Sequence, residues 1–255
     1  VKRYALLVHY DGTEFNGLQI QDGGRTIQHE LENAVKVLLK EDVRITASGR
    51  TDSGVHALGQ VIHFDSNSDM PLSKICIGLN GILPADVSVK NCYIVPNDFH
   101  ARFSAKSREY IYQIYNYPTR TPFMKYRAMW INHNFDADYF REAASYLVGE
   151  HDFASFCKKI SADAGTVRKI ESIDVSRENE MIRVTFRANA FLHNMIRIIV
   201  GTIVQMYREQ REPQYIKEIL EGKGREHGGF TAPPYGLYLN RVDYDPPLNF
   251  YDSAF

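Results

Sequence analysis

Three side chains could carry chemistry: Asp52 in SGRTDSGVHALGQ, Arg197 in MIRIIVGTIV and Tyr110 in SREYIYQIYNY. Asp52 stands between Arg50 and a Ser-Gly pair, with glycines at 49, 54 and 59. That mixture suits neither a helix nor a core strand. It suits backbone that bends sharply or comes close to something. A carboxylate kept ionised at such a bend is what carboxylate nucleophiles require. The same residues also make a good Asx turn, which is a purely structural reading. Asp52-Ser53-Gly54 matches the aspartic-protease triplet too, but that chemistry needs two carboxylates sharing a proton. A second Asp-Ser/Thr-Gly is absent, and Gly49, Arg50 and Thr51 replace the apolar strand that should precede it.

Arg197 lies in a predicted helix that is apolar nearly all round. A guanidinium there needs a buried acceptor or a water-filled cleft, because an unpaired buried charge is very costly. The alternative is an arginine that snorkels to solvent. His193, Arg197 and Gly201 fall at i, i+4 and i+8 and so share a helical face, where Gly201 admits a close neighbour. Pairing with Asp52 would satisfy Arg197 and hold the carboxylate charged. Tyr110 follows Arg108 in a strand thick with tyrosines. Aromatic faces on a sheet stack unpaired bases, although tyrosine is also an ordinary packing residue in β structure.

Other motifs carry less. Asp11 to Gly17, DGTEFNG, lacks the alternating acidic ligands and terminal Glu of an EF-hand. GKGREHGG, residues 222–229, has no Gly-Lys-Ser/Thr ending and is not a P-loop. His56, His63 and His100 share no ligand spacing, so no catalytic metal is expected.

The elements that must position these groups follow from periodicity. KRYALLVHYDG predicts a strand ending in an Asp-Gly turn. Ile27, Leu31, Ala34, Val35 and Leu38 have helical spacing, with Thr26 as N-cap. Strands are predicted over 43–50 and 59–66, flanking the Asp52 stretch, then a helix over 72–83 and a strand over 87–95. The first 95 residues thus read β-α-β-β-α-β, the split βαβ pattern with helices on one face of an antiparallel-rich sheet. Beyond them, 107–117 predicts a long strand, and DADYFREAASYLVGEHDFASF a helix ending near Gly149. Residues 167–190 predict a hairpin turning near Glu178 to Glu180. Two helices, over 191–209 and 215–223, and a strand over 236–244 complete the chain. Broken periodicity at 97–105 places a boundary there: an N-terminal half, 1–104, carries Asp52, and a C-terminal half, 105–255, carries the Arg197 helix.

The chain has 255 residues, 30 basic and 31 acidic, so it is no general polyanion binder, although a local basic cleft fits within a neutral total. Cys76, Cys92 and Cys157 form no disulfide framework, and a reducing cytosol suits them. The N-terminal apolar run is too short for a signal peptide, and polar residues interrupt 191–206, the most apolar helix.

GRTDSGVHALGQVIHF, FHARFSAKSREYIYQIYN, GEHDFASF, FLHNMIR and TAPPYGLYL together resemble five ordered sequence blocks of the TruA-type tRNA pseudouridine synthases. Ser53 stands where alanine is common in that family. The resemblance implies an α+β fold of two ferredoxin-like halves sharing a central antiparallel sheet. It implies a homodimer without cofactor or essential metal, and the cysteines place it in the cytoplasm. It also implies conversion of uridine to pseudouridine in the tRNA anticodon stem-loop, at positions 38, 39 and 40. By the same resemblance Asp52 is the nucleophile, Arg197 its partner and Tyr110 the ring on the target base. Arg50 assists base flipping, and Leu237 is an apolar pocket wall. Arg25, Arg102, Lys106, Arg108, Lys125, Arg127, Lys158 and Lys159 are candidate phosphate contacts. A catalytically silent RNA-binding module is the alternative, and the aspartate, arginine and tyrosine set argues against it.

Overall fold

Strand β1 (Lys2–Tyr10) is the central strand of a sheet that begins at the N-terminus. It pairs antiparallel on one side with β3 (His56–Ser66), on the other with β4 (Val87–Val95). Tyr4, Ala5, Leu6 and Val8 are accordingly buried on both faces. Helix α1 (Ile27–Leu39) starts where the Thr26 hydroxyl accepts the His29 N–H and stops at Lys40 in a left-handed conformation. Its Ile27, Leu31, Ala34 and Val35 face the core, as the periodicity predicts. Helix α2 (Leu72–Ile82) packs against α1, and Gly78 makes room for Leu38 there. The strand expected over 43–50 shrinks to β2 (Thr46–Ala47), paired with β3. From Ser48 onward the side chain of Gln60 takes over: it accepts from the Ser48 hydroxyl and donates to the Gly49 carbonyl.

The structure, a computed structural model, describes residues 1–158 and 165–255, so the candidate Lys159 lies outside the described residues. Backbone contacts divide the chain into one unit of Val1–Arg108 with Tyr238–Phe255 and a second of Glu109–Leu237.

The second unit takes nearly all of β5 (Ser107–Asn116). Its neighbour β6 (Met129–Ile131) pairs with it in parallel. Helix α3 (Ala137–Ser145), capped by Asp136, ends before the expected Gly149. Gly149, at φ 114°, instead opens β7 (Gly149–Asp152). Strands β8 (Val167–Glu178) and β9 (Met181–Ala188) form the expected hairpin. Its two-residue turn has Asn179 at φ 53°, the left-handed geometry such turns favour. The sheet runs β5-β9-β8-β7. Helix α4 (Met195–Arg208) is the core helix, with Ile196, Ile198, Ile199, Val200, Ile203 and Val204 buried, and α5 (Tyr215–Gly222) follows.

The chain then returns. β10 (Leu237–Asp243) lies parallel to β3, with Tyr238 opposite His56, and β11 (Asp252–Ser253) pairs antiparallel with β4. Residues 238–255 therefore go with the first unit, not with the C-terminal half expected from the sequence. Within that unit β10 is held by β3, β11 by β4, and Lys106 N–H donates to the Asp243 carbonyl at 2.8 Å. The class is α+β, as expected. Its strand pairing is mixed, because β10 on β3 and β6 on β5 are parallel. Among the described residues no helix is long and apolar enough to cross a membrane, and no three His, Cys, Asp or Glu side chains are grouped to hold a metal.

Candidate active site

Asp52 sits on a loop between β2 and β3 that is fixed from beneath. The Tyr10 and Thr51 hydroxyls are hydrogen-bonded at 2.7 Å, both buried. Burial pushes the Tyr10 phenol up to about 12, so it stays neutral and able to donate. The Thr51 carbonyl accepts the Leu18 N–H, and the Phe15 carbonyl accepts the Ser53 hydroxyl and the Gly54 N–H. The Asp52 carbonyl accepts from Val55 N–H at 3.1 Å, closing a tight turn with Gly54 at φ 78°. The stretch is thus a structural turn, and the bond that closes it comes from the Asp52 main-chain carbonyl. What the sequence did not reveal is how closely the 12–18 segment lies against it. A Cβ on Gly12 would stand 2.0 Å from the Val55 carbonyl oxygen, and one on Gly17 would stand 2.8 Å from that of Thr51. Just past the loop, buried His56 stacks on Tyr238 at 4.6 Å between ring centres. Asp52 is half-buried, and Arg50, two residues before it, is exposed.

Arg197 is half-buried and hydrogen-bonded within its own unit. Its Nε donates to the Ala232 carbonyl and its Nη1 to Asn194 Oδ1, both at 2.8 Å. Ala232 N–H returns to the Arg197 carbonyl at 3.0 Å. The close neighbour that Gly201 admits is this same segment. A Cβ on Gly201 would lie 1.9 Å from the Phe230 carbonyl oxygen. Residues 230–232 thus form a strap seated on α4. His193 does not share the Arg197 face as expected. The helix starts at Met195, and Asn194, at φ 62°, turns His193 out of it into solvent.

The strap continues to Pro233, whose carbonyl accepts the Tyr112 hydroxyl at 2.8 Å. Burial holds the Tyr112 phenol well above its usual range, with the Arg197 charge opposing. Tyr110, two residues along β5 and on the same face, is buried with its ring edge-on to Phe191 at 5.2 Å. One neighbourhood thus gathers Arg197, Asn194, the strap and the Tyr110–Tyr112 strand, and leads on to buried Leu237. Neither the strap nor Tyr112 was anticipated. Gly201 was the available signal for the strap.

Two of the candidate phosphate contacts are committed elsewhere. Arg25 pairs with Asp86 through both terminal nitrogens, pairs with Glu30, and covers the Phe15 ring. Arg108 donates to the carbonyls of Ser48, Arg102 and Ala105, so it braces backbone. Arg102, Lys106, Lys125, Arg127 and Lys158 are exposed.

A family model described as tRNA pseudouridine synthase matches residues 6–104 and 143–245, stretches that contain Arg50, Asp52, Arg197 and Leu237 and flank Tyr110. The protein called tRNA pseudouridine synthase A of Bacillus pumilus (strain SAFR-032) is 44 % identical over 240 residues, which are 93 % of this chain and 97 % of its own. The protein of the same name from Paraburkholderia xenovorans (strain LB400) is 41 % identical, over 96 % of this chain and 90 % of its own. That of Caldicellulosiruptor bescii (strain ATCC BAA-1888 / DSM 6725 / KCTC 15123 / Z-1320) is 41 % identical, over 96 % of this chain and 100 % of its own.

Proposed function

The chain belongs to the tRNA pseudouridine synthase family, and we propose that it acts on uridines of the tRNA anticodon stem-loop, at positions 38, 39 and 40, with Asp52 as nucleophile or base. The observation that carries this reading is the match along nearly the whole chain, and the aspartate, arginine and tyrosine of the five ordered motifs support it.

The reaction breaks the C1′–N1 bond, turns the uracil over and joins it to the sugar through C5; the C5 proton is lost and the freed N1 gains one. A target uridine must first leave its stack, at a cost of a few kcal/mol. Arg50, exposed beside Asp52, fills the gap it leaves. The ring of Tyr110 and the side chain of Leu237 receive the base. Asp52 then attacks the sugar, or removes a proton so that a glycal forms, and Arg197 is the cation that keeps it charged. Tyr110 helps remove the C5 proton. A site that excludes water keeps the activated sugar from hydrolysis while the base is detached.

Arg197→Met is expected to lower turnover by about 10²–10³-fold, as for loss of a preorganised charge donor. Stability should fall by only about 1–3 kcal/mol, from the bonds to Ala232 and Asn194. A thermal melt beside a tritium-release assay on C5-labelled tRNA separates the two; a variant that simply unfolds would make Arg197 structural. Tyr110→Phe keeps the ring and loses the hydroxyl. Affinity for tRNA should hold within about twofold while turnover drops about 10²-fold or more. Lost affinity with intact turnover would reverse the roles given to ring and hydroxyl.

We also read the β-α-β-β-α-β order of the first 95 residues, with sheet order β4-β1-β3-β2, as one of two ferredoxin-like halves. The enzyme is proposed to work as a homodimer in the cytoplasm. Mapping pseudouridine in the anticodon stem-loop with and without the protein tests the whole reading, and tRNA left unmodified by a folded protein would overturn it.

A further inference from the structure

Phe103 holds its ring in water on a turn that gives it no freedom to hide. The residue is 76 % exposed. The turn beneath it is closed by paired hydrogen bonds, His100 N–H to the Ser104 hydroxyl and Ser104 N–H to the His100 carbonyl, each at 2.9 Å. The N–H groups of Arg102 and Phe103 both point at His100 Nδ1, at 3.2 Å. Ala101 is pinned from two sides: its N–H donates to Nδ1 of buried His63 at 3.1 Å, and its carbonyl accepts the Tyr244 hydroxyl at 2.7 Å. Burial brings His63 down to about 4, so that nitrogen remains an acceptor at neutral pH.

The surroundings select an occupant. The His100 ring lies 4.3 Å from that of Phe103, and the Arg102 guanidinium 5.5 Å from its centre. Residues 99–108, FHARFSAKSR, between Asp98 and Glu109, carry the cations Arg102, Lys106 and Arg108, while burial lowers His100 and leaves it a neutral ring. A second copy of the chain meeting this patch through itself would bring like charges together. A polyanion with an unpaired base would find an aromatic face beside cations. The patch is also continuous with the Asp52 loop. Arg108 Nη2 donates both to the Arg102 carbonyl and, at 3.3 Å, to that of Ser48, two residues before Arg50.

We propose that Phe103 is a stacking platform for an unpaired tRNA nucleotide neighbouring the one whose uridine is turned over, with Arg102 on the adjoining phosphate. The proposal rests on the chain's reading as a tRNA pseudouridine synthase. It adds a binding residue outside the aspartate, arginine and tyrosine set.

The test titrates an anticodon stem-loop RNA against the full chain, beside tritium release from C5-labelled tRNA. Phe103→Ala should weaken binding about 5- to 150-fold, the range for loss of one base stack, with an unchanged melting curve. Phe103→Trp should bind as well as the native protein. Phe103→Leu keeps apolar bulk without a π face and should bind like the alanine variant. Arg102→Ala should lower the slope of log affinity against log salt by about 0.7, the share of one single-strand phosphate, which Phe103→Ala leaves intact. Native affinity in Phe103→Ala or Phe103→Leu overturns the platform. So does a shift of Phe103→Ala to a smaller species in sedimentation, which would give the surface to a second copy. Absence of tritium release by the native protein is a separate result, and it strikes the enzymatic reading itself.

Discussion

Asp52→Asn yields a protein that folds, binds tRNA and forms no pseudouridine. The substitution keeps the shape of the side chain and removes its charge. Bonds from backbone and from Ser53 shape the turn: Val55 N–H donates to the Asp52 carbonyl, Leu18 N–H to the Thr51 carbonyl, and the Ser53 hydroxyl and Gly54 N–H to the Phe15 carbonyl. Those survive, so the loop should keep its form and melting should change little. Chemistry should not survive. Loss of a general base lowers rates by about 10²–10⁴-fold. Loss of the nucleophile stops the covalent route altogether, because a neutral amide is no substitute for a carboxylate. Tritium release and stem-loop mapping read the outcome, with binding measured alongside. Turnover close to native would remove Asp52 from the reaction, and lost binding would make it a recognition residue.

Gly201→Ala should be the most damaging single methyl group in the second unit. In an unencumbered helix the change is favourable, by up to about 1 kcal/mol. Here the new Cβ would stand 1.9 Å from the Phe230 carbonyl oxygen and 3.2 Å from Ala232 N. The obstacle is backbone, so the strap must lift from α4. Overpacking of this kind costs about 1–3 kcal/mol, occasionally more. A net loss near 2 kcal/mol corresponds to a melting midpoint lower by about 4–8 °C in a chain of this size. Lifting the strap also pulls the Ala232 carbonyl from the Arg197 Nε, so turnover should fall with stability. Gly81→Ala is the control. It too is helical, but nothing lies within 4 Å of its added Cβ, so that variant should be neutral or slightly more stable. If both variants melt alike, the strap is not seated as described.

Local signals were legible where they were strong and self-sufficient. The stripe of α1 with its Thr26 cap, the Asn179 hairpin turn and the apolar run of α4 need only neighbours in sequence to be read. Elements that exist only through distant partners were not legible. β2, β6, β7 and β11 are two to four residues long, too short to show a period. The start of α4 was misread by four residues, because the apolar run masked Asn194, a residue type that takes the left-handed region readily. At the site, Gly201 and the cluster at 49, 54 and 59 announced close approach without saying what approaches. The answers, the 230–232 strap, the 12–18 segment and, at Gly59, Asn240 of β10, lie tens of residues away or more. Roles came from the ordered motifs, since an aspartate in a turn looks the same with or without a reaction to perform.

The returning strand β10 imposes an order on synthesis. A chain leaves the ribosome from its N-terminus at about 5–20 residues per second. Everything from Val1 to Arg108 is then available early, the Asp52 loop included. Its sheet nevertheless lacks the neighbour of β3, and His56 lacks the ring it stacks on, until Tyr238 emerges. The second unit, Glu109–Leu237, is continuous in sequence and is complete before that moment. The nascent chain therefore carries an unfinished β3 flank past the whole of the other unit, and of the two units the one bearing Asp52 is the later to close.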